Sequence, residues 1–179
     1  DNMIKGLILG LCAASTASAD IGLAARFGDV ILEKAQIGRS YNLREASRVP
    51  FAVENRGSSQ TDISVEFLIP SKSDMAKDYE PIPDPTWLKA IPDKIVAPAH
   101  ARGYFDLILT IPDDPALIGR HFQAIVKARS GLGAAFGLAI ENKIRFSIGL
   151  GPESLVAEKK KKAMQTLDFD VTPDVIYLS

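Results

Sequence analysis

The sequence predicts an all-β protein, an antiparallel β-sandwich of about seven short strands, and three observations lead to that prediction. Apolar and polar side chains alternate with a period of two in most of the apolar segments, as in strands with one buried face. Proline, glycine, asparagine and aspartate cluster between those segments, where turns are expected. No sustained period of 3.6, which would indicate helices, appears in the main body.

The clearest alternation lies in two runs within residues 101–130, joined by a loop that contains Pro112, Pro115 and Gly119. Each run predicts a sheet strand, because proline cannot donate to a ladder and ends the pairing between them. The inward side chains are expected to be Phe105, Leu107, Leu109 and Ile111 in the first strand, and Phe122, Ala124, Val126 and Ala128 in the second. The side chains expected on the outer face of the second strand are His121, Gln123, Lys127 and Arg129.

The other strands are predicted from the same alternation. They are residues 21–35 (Phe27, Val30 and Leu32 inward), 48–54 (Val49, Phe51 and Val53 inward), 61–69 (Ile63, Val65, Phe67 and Ile69 inward), short segments at 87–88 and 95–98, and 138–148 (Leu138, Ile140, Ile144, Phe146 and Ile148 inward). The turn cluster at 55–59 predicts that strands 48–54 and 61–69 form a hairpin. Asn142 falls at an inward position and needs a partner there.

The segment from Pro70 to Pro85 is predicted to be a long loop, with one helical turn near Met75, because alternation stops and prolines accumulate. After the sandwich, assigned to residues 20–150, a Lys-rich helix or linker is expected at 151–166, with Glu153 to Met164 helical. Residues 167–179 resume a strand pattern. They predict an extra strand, either the start of a second module or a strand donated to a neighbour.

The first 19 residues have the layout of a secretory signal peptide. Lys5 precedes an apolar run from Leu7 to Ala14, and Ala17-Ser18-Ala19 forms an A-x-A cleavage site before Asp20. The apolar run is much shorter than the ~20 residues that span a bilayer. We therefore expect export to the periplasm or cell surface and cleavage between Ala19 and Asp20, which the mass of the exported protein would test.

Charge and cysteine content narrow the function classes further. With 21 basic and 22 acidic residues the net charge is −1, so no overall positive field is available to bind nucleic acid. The single cysteine, Cys12, lies in the signal segment, and Leu11 before it is not the small residue that a lipoprotein site needs. The exported domain is therefore expected to have no disulfide, no thiol nucleophile and no thiolate metal site.

The order of short motifs resembles immunoglobulin-like modules of exported bacterial proteins, including modules associated with NPCBM domains. The motifs are Val53-Glu-Asn-Arg-Gly57, Trp87-Leu88, Pro92, Ile95-Val-Ala-Pro98 and Thr110-Ile-Pro-Asp-Asp-Pro-Ala-Leu-Ile-Gly-Arg-His-Phe122. The resemblance covers roughly residues 27–148. It implies an immunoglobulin-like β-sandwich that spaces or presents other parts of the cell envelope, and no catalysis.

A second, weaker resemblance is to periplasmic pilus chaperones. Ala139-Ile-Glu-Asn-Lys-Ile-Arg-Phe146 is similar to the last strand of their N-terminal domain. That strand lends alternating apolar side chains to a subunit groove by strand addition. The resemblance implies a strand donor of the same kind as an alternative function.

No constellation of residues predicts catalysis, a cofactor or a metal. His100 and His121 are expected to be solvated surface side chains, because no partners are spaced for a triad or a zinc site. A calcium site was considered for the loop carboxylates Asp74, Asp78, Glu80 and Asp84 and for Asp113 with Asp114, but solvation and turn formation explain them better. The glycines at 131, 133 and 137 lack phosphate-loop spacing. Lys159 to Lys162 are best explained as a solvated helix face.

The function expected from these patterns is that of a non-enzymatic, exported module that binds proteins of the cell envelope, copies of itself among them, through a sheet edge and loops. The residues proposed for contact are Trp87, Leu132, Phe136, Phe169, Val171 and Tyr177. A carbohydrate-binding module is a further alternative, resting on Trp87, Tyr79 and Tyr104. No nucleic-acid partner and no transmembrane span are expected.

Overall fold

The computed structural model of the protein describes residues 22–25, 28–48, 50–131 and 138–167. In these residues the elements are β1 Leu23–Ala25, β2 Val30–Ala35, β3 Ser40–Asn42, α1 Leu43–Ser47, β4 Phe51–Asn55, β5 Thr61–Leu68, β6 Glu80–Pro81, β7 Leu88–Ile91, β8 Lys94–Ala97, β9 Arg102–Thr110, β10 His121–Ser130, β11 Ala139–Ile148 and α2 Pro152–Leu167. Short 3₁₀ turns occupy Lys72–Asp74, Pro85–Trp87 and Pro115–Leu117. The strands outnumber the seven predicted because several are only two to four residues long.

The first sheet is built around β9. β4 and β3 pair with successive parts of β9, and β1 pairs with the far side of β4. β7 lies along the opposite side of β9, since Leu109 faces Tyr41 on one side and Leu88 on the other. All these pairs are antiparallel, as the sequence predicts for a sandwich.

The second sheet has the order β2-β11-β10-β5-β8. β10 is its central strand and pairs with β11 over residues 121–129 and with β5 over residues 125–130. β6 continues the row of β5 beside Phe122 and Gln123. β2 is parallel to β11, in contrast to the antiparallel pairs around it.

The two sheets pack face to face, and the predicted sandwich is confirmed as an immunoglobulin-like fold. The predicted inward residues of β9 and β10 are all buried: Phe105, Leu107, Leu109, Ile111, Phe122, Ala124, Val126 and Ala128. Trp87 packs edge-on against Phe122, with ring centroids 5.7 Å apart, and Phe122 lies 5.4 Å from Phe146. Phe51 and Phe105 form a second ring pair at 6.0 Å. Aromatic contacts of this kind add to the free energy gained by burial.

The hairpin predicted from residues 48–54 and 61–69 is wrong. β4 belongs to the first sheet and β5 to the second, so the 55–59 connection crosses between sheets. Phe51 and Val53 therefore share the core with Ile63 across the sandwich rather than side by side. An apolar strand face is buried by a facing sheet and not by its in-plane neighbour, so alternation alone cannot distinguish these two arrangements.

The single strand predicted at residues 21–35 is instead two strands in different sheets, β1 and β2. The strand predicted at 48–54 is β4, which begins at Phe51. Residues 43–47, before it, form the unpredicted helix α1. The Asn42 side chain accepts from Arg44 N at the start of α1, and Arg48 ends it with φ 57°. Residues Phe27 and Val49, predicted inward, lie outside the described residues.

Three further differences concern strand ends and one long segment. Ile69 is 53% exposed and Leu138 38% exposed, although both were predicted inward; each lies one residue beyond its strand, β5 ending at Leu68 and β11 beginning at Ala139. Residues 70–85 are a loop with a helical turn beside Met75, as predicted, but they also contain the short strand β6. The helix predicted at 153–164 is confirmed as α2, which extends it slightly at both ends.

Candidate protein-binding edge

The outer face of the second sheet is divided into a covered half and an open half. Residues 70–82, which we call the strap, cross the start of β10 and the end of β11. The start of β5, the end of β10 and the start of β11 remain open and carry most of the charged side chains of this sheet. A candidate binding surface must therefore lie toward the start of β11.

The strap is held by Gln123, a residue predicted to point into solvent. Its side chain does point to the outer face, but it is fully buried under the strap. Its Oε1 accepts from Ala76 N at 3.0 Å and its Nε2 donates to Asp74 O at 2.8 Å, while its backbone oxygen accepts from Ile82 N at 2.9 Å. A buried amide with both ends paired fixes the strap in one position.

Beside Gln123, the predicted solvated histidine His121 is instead half-buried. The ring of Tyr79, from the strap, contacts it edge-on with centroids 6.1 Å apart. Arg145, directly opposite Gln123 in β11, lies 6.0 Å from the Tyr79 ring and forms an ion pair with Asp29 at 2.7 Å. These contacts occupy much of the covered half of the face.

The strap is also clamped by an ion pair at its far end. Glu80 accepts two hydrogen bonds from the Arg120 guanidinium, one from Nε at 3.0 Å. The hydrogen bonds from Arg120 lower the pKa of the Glu80 carboxyl, and the positive charge of Arg120 adds to the same effect. Both side chains remain 40% or more exposed, so water screens the pair.

The open half of the face carries three ion pairs across neighbouring strands. Lys94 pairs with Asp62, Arg129 with Glu66, and Lys127 with Glu141. A cavity of about 510 Å³ lies among these side chains and is bounded at its end by Leu138 and Ala139. The charges balance one another, so the cavity itself attracts neither cations nor anions strongly.

Next to this cavity, half of the edge of β11 has no neighbouring strand among the described residues. β2 pairs only with Ile144 to Ile148, whereas β10 pairs with the whole of β11. At one end of β11, Leu138 O accepts from Ser130 N. At the other end, Ile148 N donates to Arg120 O and Ile148 O accepts from Gly119 N. The backbone groups of the even-numbered residues of β11 therefore point toward β10. The backbone groups of Ala139 and Glu141 therefore face away from β10, toward the open edge.

The end of this open edge is marked by Asp29. Its Oδ1 accepts from Lys143 N at 3.2 Å, so the N–H that would continue the edge is occupied by a side chain. What remains is the outward-facing backbone of residues 138–141, which has no strand partner among the described residues. We call it the β11 edge.

The inner side of the β11 edge is apolar and incompletely covered. Ile140 points toward the core but is only half-buried, and Leu138 beside it is largely exposed. Leu23 of β1, in the other sheet, is also only partly buried against the core. A strand added here would cover these side chains as well as pair the free backbone.

The three aromatic residues considered for sugar binding are not brought together. Trp87 packs inside the sandwich on Phe122, and Tyr79 lies on the outer face of the second sheet against His121. Tyr104 is exposed on β9 of the first sheet. A sugar platform needs adjacent ring faces, which these positions do not supply.

Four of the six loop carboxylates considered for calcium have another role. Asp74 accepts from Ser71 Oγ, Glu80 binds Arg120, and Asp84 caps Thr86 N. Asp114 caps Ala116 N in the same way. In the part of the chain that the structure describes, no three His, Cys, Asp or Glu side chains lie close enough to hold a metal.

The remaining predicted contact residues fall where the structure makes no statement. Leu132, Phe136, Phe169, Val171 and Tyr177 lie outside the described residues.

His100 and the lysines 159–162 are exposed. No helix of the described ranges is both long and apolar enough to cross a bilayer.

The β11 edge was not identified from the sequence as an open edge, although Ala139–Phe146 was singled out as resembling a donor strand. No local signal marks it, since the alternation over residues 21–35 does not show where pairing with β11 begins. Detecting an open edge requires knowing which strands pair, and pairing between residues more than 100 positions apart leaves no local pattern.

Comparison with solved structures finds the same fold at low sequence identity. The PapD-like domain 7 of human CEP192 has a TM-score of 0.52 and 10% identity over 72% of this chain and 86% of its own. A Bacteroides ovatus protein described as carbohydrate-binding has a TM-score of 0.53 and 14% identity over 72% of this chain but 37% of its own. The Pseudomonas aeruginosa CupB2 chaperone has a TM-score of 0.49 and 12% identity over 76% of this chain and 61% of its own. No family model and no curated protein matches the sequence.

Proposed function

We propose that this protein is an exported, non-enzymatic module of the cell envelope that binds an extended segment of a protein partner by strand addition at the β11 edge. The observation that carries the proposal is the outward backbone of Ala139 and Glu141, which has no strand partner among the described residues, beside the incompletely buried Leu138 and Ile140. An incoming strand gains main-chain hydrogen bonds from the first pair and apolar contact from the second.

Three other edge strands, β1, β7 and β8, support this choice because they are short or blocked, whereas β2, at the end of the second sheet, has six residues. β8 has Lys94 on it and Pro98 directly after it, and β7 is four residues long and is followed by Pro92. β1 has three residues. Proline, lysine and short length are the usual means by which natural sheets prevent pairing at an edge. The β11 edge is also short, but it contains neither a proline nor a lysine.

The proposed binding is modest in strength because the edge is short. Two residues, Ala139 and Glu141, present both an N–H and a C=O, so an added strand pairs over about five residues. Specificity then depends on the side chains that flank the backbone, chiefly the apolar inner row and the charged outer row.

A photo-activated cross-linker placed at position 139 in the exported chain tests the proposal. We expect the exported chain, which begins at Asp20, to form cross-links to a protein partner. The Glu141→Ala variant should form the same cross-links. Glu141→Pro should abolish them, because proline removes the outward N–H without disturbing the bonds to β10. The matched control carries the cross-linker at Tyr104, exposed on the opposite sheet, and should give none of these products.

The proposal is overturned if Glu141→Pro, shown to be folded by its thermal unfolding, cross-links as the native chain does. It is also overturned if position 104 captures the same partner equally well, since binding would then not depend on the edge.

A further inference from the structure

Residues 168–179, which we call the tail, begin with the pattern of a strand that has one apolar and one acidic face. Phe169, Val171, Val175 and Tyr177 occupy odd positions, and Asp168, Asp170, Thr172 and Asp174 occupy even positions. This is a period of two, which Pro173 interrupts and which ends at Ile176 and Leu178, where the even positions become apolar. The tail lies outside the described residues.

The β11 edge is complementary to such a strand on both sides. Its inner side offers the incompletely covered apolar row of Leu138 and Ile140, which matches an apolar face. On its outer side stands Lys143, for which no acidic partner exists among the described residues, whereas Lys127 and Arg145 are already paired. An acidic face would supply that partner.

The helix α2 favours an edge on a second copy over the edge of the same chain. It begins four residues after β11 ends, whereas the β11 edge lies at the start of that strand, about 25 Å away. α2 is itself about 24 Å long, and every residue from Leu155 to Met164 is exposed. A helix exposed along this length does not pack on its own sandwich and can act as a spacer between the sandwich and the tail.

We propose that the tail of one copy adds as a strand to the β11 edge of a second copy. This inference rests on the proposed function, because it names the partner of the same edge. The contact is heterologous: each copy has one donor tail and one acceptor edge, so repetition yields open chains of copies instead of closed dimers.

Light scattering on the purified full-length chain over a concentration series tests this inference. We expect the native mass to rise with concentration. Val171→Asp, which puts a charge on the apolar face of the tail, should weaken assembly by roughly tenfold or more. Thr172→Asp adds the same charge to the acidic face and should assemble like the native chain. Glu141→Pro should stay monomeric, while Glu141→Ala should assemble.

Mixing two defective variants gives a sharper result. Val171→Asp has an intact edge and Glu141→Pro an intact tail, so together they can form one contact and no more. We expect each to be monomeric alone and the mixture to give a dimer that does not grow further. A mixture that stays monomeric overturns the inference, as does a native chain that is monomeric throughout or a Val171→Asp variant that assembles normally.

These outcomes separate the inference from the proposed function. If the chain is monomeric but position 139 still cross-links to a different protein in a manner that Glu141→Pro abolishes, the tail is not the occupant and strand addition stands. If Glu141→Pro abolishes neither assembly nor cross-linking, both proposals fall.

Discussion

At the scale of single residues, two buried amides organise connections that have no regular secondary structure. Gln123 fixes the strap, as described above. Asn55 holds the crossing between sheets: its Nδ2 lies 2.8 Å from Ser59 O and 2.9 Å from Pro98 O, and its Oδ1 accepts from Gly57 N at 2.9 Å. Each is a polar side chain with almost no exposed surface. Their hydrogen bonds replace those that a turn would otherwise make to water.

Replacing Asn55 should therefore lower the free energy of unfolding more than replacing an exposed neighbour does. Asn55→Ala leaves buried backbone groups unpaired and should lower the free energy of unfolding by about 1–3 kcal/mol. Asn55→Asp should cost more, because an acceptor would then face the carbonyls of Ser59 and Pro98. Urea unfolding measures both. The matched control, Gln60→Ala at an exposed position, should change stability by less than about 0.5 kcal/mol, and an equal loss there would contradict this account.

At the scale of elements, the strap shows what the sequence could and could not predict. Its loop character follows from its prolines, and the helical turn near Met75 is where it was expected. Its position is not predictable, because the residues that bind it, Gln123 and Arg120, have the polar character of an exposed strand face. A polar side chain buried under a loop has the same sequence pattern as one in water.

The clamp between Glu80 and Arg120 gives the strap a predictable dependence on pH. The folded-state pKa of Glu80 is below its ordinary value of 4.5, so the pair stabilises the folded protein above that pH. The contribution is lost as pH falls through the lowered folded-state pKa. We expect native protein to be slightly more stable to urea than Glu80→Gln at neutral pH, with the gap closing in acid. Asp78→Asn, on the same strap and without an ion pair among the described residues, should show no such gap.

At the scale of the whole molecule, the core joins two sheets through aromatic side chains from several strands. Alternation predicted most of these side chains correctly, because burial of one strand face leaves a local signal. The assignment of strands to sheets was not predictable in the same way, as β4 and β5 show. Strands with similar apolar faces can exchange neighbours without any change in their own pattern, and only long-range packing decides between the alternatives.

Truncation of the core aromatics should distinguish residues that join the sheets from those at the rim. Phe146 is fully buried between Trp87 and Phe122, so Phe146→Ala should lower the free energy of unfolding by about 3–5 kcal/mol. Phe67 was expected in the core but is only half-buried, and Phe67→Ala should cost clearly less. Thermal unfolding of the two variants in parallel makes the comparison. Equal losses would mean that Phe67 contributes as much as a central core residue.

The parallel pairing of β2 with β11 has a consequence for how the module bears tension. After the short strand β1 the chain continues into β2, and it leaves the sandwich after the end of β11; β2 and β11 lie side by side in the same direction. Once β1 has separated from β4, a force that pulls the two ends of the sandwich apart slides β2 along β11. All of the ladder bonds between them are then loaded together and must break together. A module joined end to end with others in this way resists stretching far better than one whose terminal strands peel apart one bond at a time.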